Sequence, residues 1–188
     1  NTTYGRTIIA LILFSLRKAR VQDKKEPKPA VHWDSKQYEE LLKDNIIEAY
    51  THFGQYMPNL SYLSRSWVED KIKNFEALSA VDTKWEAFME GFLFGNGPYQ
   101  DLYKLMRNHY IKGIDNGFKG DRAENRLVQH ITIGYLRGTE SLDGSDSLFK
   151  RILDKWDSEQ YKEIVSFFWS ESRNIREESE NKGMGKED

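Results

Sequence analysis

Along most of this chain the apolar residues recur every three or four positions, which puts them on one face of successive helices. The clearest case runs from Asp82 to Gly117. Trp85, Phe88, Met89, Phe92 and Leu93 form one stripe, and Tyr99, Leu102, Tyr103, Met106, Tyr110 and Ile114 form a second. Thr83 with Glu86 fits a capping box at the start of the first helix. Gly95-Asn96-Gly97 ends it on residues that tolerate a left-handed cap; Pro98 suits the first position of the next helix, and Gly117 closes that one. So short a connection predicts two antiparallel helices packed stripe to stripe, with apolar surface left over for neighbours.

The flanking segments repeat this theme. Residues 4–21 read as a helix that is apolar nearly all round, through Ile8, Ile9, Leu11, Ile12, Leu13, Phe14 and Leu16, and so as one buried among several neighbours. Residues 22–32 contain KKEPKP, where Pro27 and Pro29 forbid regular structure, and read as an exposed linker. Asp34 with Gln37 opens a helix whose buried side is Tyr38, Leu41, Leu42, Ile46, Ala49, Tyr50 and Phe53, ended by Gly54. Pro58 predicts a loop or short turn over 55–63. Ser66 with Glu69 opens a helix carrying Val68, Ile72, Phe75 and Leu78.

Asp121 with Glu124 starts another, bearing Leu127, Val128, Ile131 and Tyr135, and Gly134 inside it predicts a close approach by a neighbour. After a polar loop over 138–144, Ser145 or Ser147 caps a short helix with Leu148, Phe149, Ile152, Leu153 and Trp156. Asp157 with Gln160 opens the last clear helix, whose buried positions are Tyr161, Ile164, Val165, Phe168 and Trp169. From Glu171 onward almost nothing is apolar, which predicts a solvated helix fraying into a disordered tail. No segment of useful length alternates with period two. The fold class is therefore all-α: antiparallel helical hairpins stacked as a short, HEAT-like α-solenoid, or alternatively a globular helical bundle. Helix starts at 82, 121 and 157 lie roughly 36–39 residues apart, within the range of two-helix repeats. The expected organisation is an N-terminal buried helix (1–21), a Pro/Lys-rich linker (22–33), a helical-hairpin domain (34–170) and a charged tail (171–188).

Composition narrows the chemistry. With 38% hydrophobic and 13% aromatic residues in 188, the chain can fill an interior. Its 31% charged residues nearly cancel to a net charge of −2, unlike the strong basic excess of a dedicated nucleic-acid clamp. There is no cysteine, which removes disulfides, thiolate metal sites and cysteine nucleophiles, and fits a reducing, cytoplasmic setting. The longest apolar run, Ile8 to Phe14, is far short of the ~20 residues that span a bilayer. A chain starting at Asn is expected to be part of something longer.

The four histidines, His32, His52, His109 and His130, include no pair at the spacing that puts two ligands on one helix face. Glu48 and His52 are one turn apart and read as a surface hydrogen bond, and His109, beside a buried stripe, reads as a satisfied core histidine. Glu86 and Glu90, with Asp82 below them, lie on a polar face where nothing raises a carboxyl pKa for acid–base work. Gly91, Gly95 and Gly97 lack the preceding strand of a dinucleotide loop and read as turn and packing glycines. No P-loop, Gly-x-Ser-x-Gly elbow or His-Glu-x-x-His motif occurs. No catalytic, cofactor-binding or metal-ligating residue is assigned. Arg17, Lys18, Arg20, Lys24, Lys25 and Lys28 make a local basic cluster, diluted by Asp23 and Glu26, that is the candidate for nucleic-acid contact.

The runs WEAFMEGFLF, DLYKLMRNHYIKGI and NRLVQHITIGYLRG, with the Leu148-to-Trp156 helix, resemble the helical-repeat C-terminal region of large prokaryotic STAND NTPase-type defence proteins. The likeness covers residues 82–169 and lies in spacing, with no invariant motif. It implies a sensor or linker part of a protein whose ATPase and effector lie elsewhere, with a role in antiviral defence, and transfers no site residue. Three readings follow. The first is a non-enzymatic helical scaffold that binds a protein partner or its own neighbouring domains, without cofactor or membrane. The second is a nucleic-acid-associated domain using residues 17–28, and the third is an enzyme built from His109, His130 and scattered carboxylates.

Overall fold

A computed structural model describes residues 2–23, 33–142, 144–155 and 158–184, with the side chains of Gln100 and of 172–184 outside the description. Among these residues all regular structure is helical. The helices are α1 (Thr3–Gln22), α2 (Lys36–Lys43), α3 (Ile47–Gln55), α4 (Met57–Leu63), α5 (Arg65–Phe75), α6 (Thr83–Gly95), α7 (Gln100–Leu105), α8 (Arg107–Asn116), α9 (Asp121–Leu136), α10 (Leu148–Asp154) and α11 (Ser158–Met184). The all-α expectation holds. The chain groups into two compact units, residues 1–124 and 125–188, so the first unit takes α1 together with the elements up to the start of α9.

In the first unit α3 is the hub, packing on α1, α2, α4 and, most extensively, α6. Glycines allow that last crossing. A Cβ on Gly54 would overlap the Phe88 carbonyl oxygen, one on Gly91 would overlap that of Thr51, and one on Gly95 would stand 2.7 Å from the Gln55 Cα. The two backbones therefore touch without side chains between them. Asn96 fastens the far end, donating from Nδ2 to the carbonyls of Gly54 (2.8 Å) and Phe92 (3.2 Å). The reading of Gly91 and Gly95 as packing glycines is right, and their partner is α3.

The other side of α6 faces α8 through an aromatic layer. Phe88 meets His109 edge-on and Phe92 lies against Tyr110, while Trp85 stacks on Phe118 at 5.4 Å. Phe88 and Phe92 thus meet successive residues in the first turn of α8, and Trp85 meets Phe118 just past its end. Trp85, Phe88, Phe92, Tyr103 and Met106 are all buried. A second aromatic group, Trp33, Tyr38, Phe53 and Trp67, ties α2, α3 and α5 together in edge-to-face contacts, with Phe53 and Trp67 tilted against each other.

Several boundaries differ from the sequence expectation, each for a local reason. The helix expected from Asp34 breaks at Asn45, whose φ of 56° suits an Asn better than most residues. Residues 55–63 contain α4 because Pro58 sits in its first turn, where its missing N–H costs nothing. The helix after Pro98 begins only at Gln100 and breaks again at Met106. Asp82, not Thr83, caps α6, accepting from the Lys84 N–H at 2.9 Å, while Glu86 accepts from the Lys119 backbone N–H instead. Likewise α5 starts at Arg65 after Ser64, without a side-chain cap. The left-handed cap expected at Gly95–Gly97 is absent, since Asn96 is extended there. After α8, Gly117 takes a positive φ of 72° with ψ at −170°, a backbone that glycine adopts readily but not an αL cap.

In the second unit Ser147 caps α10, accepting from the Lys150 N–H at 3.0 Å, and Glu140 accepts from the Leu148 N–H at 2.9 Å. Tyr135 stacks on Phe149 at 4.6 Å, with Phe168 edge-on to both. Ile164 is buried, but Val165 and Trp169 are not, at 65% and 74% exposed, which corrects the expectation for α11. The expected roles of Trp156 and Asp157 lie outside the described residues.

Candidate interaction surface

The helix read as wholly buried is buried on one side only. Gly5, Ile8, Ile12, Ser15, Leu16 and Ala19 of α1 face the first unit, whereas Leu13 is 53% and Phe14 69% exposed, with Tyr4 and Val21 also outside. Both ends are tied down. Thr2 caps the helix, accepting from the Gly5 N–H at 3.0 Å and donating to Glu48 Oε1 of α3 at 2.7 Å. Just past the other end, the Tyr62 hydroxyl of α4 donates to Asp23. The outward face is thus held in place by contacts made elsewhere on the helix.

That face is cationic. The twenty residues of α1 include Arg6, Arg17, Lys18 and Arg20, all exposed, and no acid. At 3.6 residues per turn, Arg6, Ala10 and Arg17 fall between Leu13 on one flank and Phe14 with Val21 on the other. Charge and apolar surface therefore interleave. Beside Phe14, a pocket of about 170 Å³ is walled by Leu11, Phe14, Ser15 and Lys18 of α1 and by Trp33, Asp34 and Gln37. The structure places Arg17, Lys18 and Arg20 of the basic cluster on this face, while Lys24, Lys25 and Lys28 lie outside the described residues.

The remaining candidates are structural. His109 is fully buried, accepting at Nδ1 from the Trp85 indole N–H (3.1 Å) and donating from Nε2 to the Ile72 carbonyl (3.0 Å). Burial pushes its pKa down to about 4, against a smaller upward pull from that carbonyl, so the ring is neutral. This is the satisfied core histidine expected from its position. His52 bonds Gln55 and Glu48 accepts from Thr2, so the surface hydrogen bond expected between Glu48 and His52 is not made. His130 is buried in the second unit, and His32 lies outside the described residues. No group of three or more His, Asp or Glu side chains that could hold a metal ion occurs among the described residues. Nor is any helix among them long and apolar enough to cross a membrane.

A second concavity, of about 400 Å³, lies between Tyr56, Pro58 and Asn59 on one side and Gly95, Asn96, Gly97 and Tyr99 on the other. It is open and holds no charged side chain. The uncovered residues of α1 escaped the sequence reading because an all-round apolar helix does not say which side meets the core. The absence of acids along it was the available signal. Comparison with protein-family models, curated proteins and solved structures finds no match to this chain.

Proposed function

We propose that this chain is a non-enzymatic helical scaffold, or the sensor part of a larger multidomain protein, that docks a protein partner or a neighbouring domain on the outward face of α1. One observation carries the reading: Leu13 and Phe14 stand exposed among cations on a helix anchored at both ends. Apolar surface rimmed by polar residues is a mark of interaction sites, and on this face Phe14 and Val21 stand beside the cations of the same helix. The sensor half rests on the resemblance of residues 82–169 to the STAND-type repeat region.

A photo-crosslinking residue at position 14, with a control at exposed position 90, tests this in cells. A discrete protein adduct at 14 that is missing at 90, and is lost on Leu13→Asp, is the expected result. Equal labelling at both positions would remove the reading. The alternative, nucleic-acid contact through Arg17, Lys18 and Arg20, predicts retention on duplex DNA or single-stranded RNA at low salt that falls steeply as salt rises. Leu13 and Phe14 weigh against a duplex, whose phosphate backbone offers them nothing to cover, though not against a single strand, whose bases stack on aromatic rings.

A further inference from the structure

We infer that the segment docking on α1 is acidic and anchors one apolar side chain in the pocket between Phe14 and Trp33. This rests on the docking role just proposed for the helix. The charge argument comes first. Four cations and no acid share the helix, so the positive excess lies along α1 itself. Glu48 and Asp23 at its ends and Asp34 in the pocket wall keep their charge, but each is held by a hydrogen bond, from Thr2, from Tyr62 and from the Lys36 N–H at 3.1 Å. The whole chain carries a net charge of −2, so an acidic ligand gains nothing from the protein at large and is drawn to this face specifically.

Shape selects the class of partner. A surface that enters a bilayer needs a continuous apolar stripe with its cations at the margins. Here Arg6 and Arg17 divide Leu13 from Phe14, so no such stripe exists. The pocket, at about 170 Å³, is close to the roughly 150 Å³ that accommodates one benzene ring in an engineered apolar cavity. Leu11, Phe14 and Trp33 give it apolar walls, and Ser15, Lys18, Asp34 and Gln37 complete the lining. A single Phe or Leu side chain fits there, with flanking carboxylates within reach of Lys18 and Arg17. Charged pairs at the margin of such a site steer and select, while the buried anchor supplies most of the affinity.

The test uses three labelled helical peptides that share one Phe anchor and differ only in flanking Glu, Gln or Lys, read by fluorescence anisotropy on the intact chain. The Glu peptide is expected to bind, more weakly as salt rises, and to lose about tenfold or more in affinity with Lys18→Glu or when its Phe is replaced by Ala. The Lys peptide should not bind. Equal binding of the Gln and Glu peptides, both labelling the crosslinker at position 14, would overturn the acidic partner while leaving the docking role of α1 standing. Failure of all three peptides, with no adduct at position 14 in cells, would remove both. Binding to phosphatidylserine-containing vesicles without binding to any peptide would overturn the inference in favour of a lipid surface.

Discussion

Gly91 of α6 rests directly on the backbone of Thr51 in α3, so close that a methyl group on Gly91 would overlap the Thr51 carbonyl oxygen. On an exposed helix, replacing glycine by alanine stabilises by up to about 1 kcal/mol. Here the sign reverses, because neither backbone can retreat without opening the crossing. Gly91→Ala is expected to destabilise the chain by about 3 kcal/mol or more. Gly97→Ala, which meets nothing within 4 Å, should shift stability by no more than about half a kcal/mol. Urea titrations of both variants decide it; similar midpoints would show that the helices can separate freely.

Phe92 lies on the same helix with its ring fully buried against Tyr110, and Glu90 two residues earlier is exposed. Phe92→Ala should cost ~3–5 kcal/mol and Glu90→Ala about half a kcal/mol or less. Thermal melts read the difference. Equal small shifts would mean that the apolar face of α6 is not a core.

His109 sets an acid limit. Its folded-state pKa of about 4 lies below the 6.5 of a free imidazole, so above pH 6.5 it is neutral in both states and costs nothing. As pH falls from 6.5 towards 4 only the unfolded chain takes up the proton, and stability drops by an amount on the order of 3 kcal/mol. Protonation would also place a hydrogen on Nδ1, facing the Trp85 N–H that already donates there. Lys112 adds a nearby positive charge that disfavours the imidazolium, and Glu76 opposes it. His109→Gln should flatten this part of the stability profile relative to the parent. Parallel profiles from pH 7 to 4 would show that His109 does not bear the proton.

Lys112 closes the end of α5, donating from Nζ to the carbonyls of Glu76 and Leu78, both at 2.7 Å, and lies 5.6 Å from the centre of the Trp85 ring. Two carbonyls left beyond the last turn of a helix need such donors. Lys112→Met keeps the stem and removes the ammonium, and is expected to cost about 1.5–3 kcal/mol by chemical denaturation. A surface lysine changed in the same way, such as Lys73, should be nearly silent.

Helix-period spacing made the content of the core legible, and Trp85, Phe88, Phe92, Tyr103 and Met106 are where it puts them. It could not reveal that α6 lies closest to α3. Glycines announce a close approach without naming the partner, and Gly54 read simply as a helix end. Breaks at Asn45 and Met106 were hidden because the apolar spacing continues across both. At α1 the residue types were plain, but the side that meets solvent depends on tertiary packing that no local pattern encodes. Val165 and Trp169 failed for the same reason, since a stripe at helical spacing marks a face without showing whether anything covers it.

The contact of Thr51 with Gly91 also has a temporal side. The two residues are separated in the chain by all of α4 and α5, so joining them closes a long loop before any of the contact energy is returned. Helices that pair only with their sequence neighbours avoid that delay and can zip up from any point. The first unit cannot assemble in that way: α4 and α5 have to be carried into place as the glycine-lined crossing shuts. Its refolding is therefore expected to be a single concerted step, slower than that of a stack of sequential hairpins of the same length, and Gly91→Ala should appear in the rate as well as in the equilibrium if the crossing is formed at the barrier.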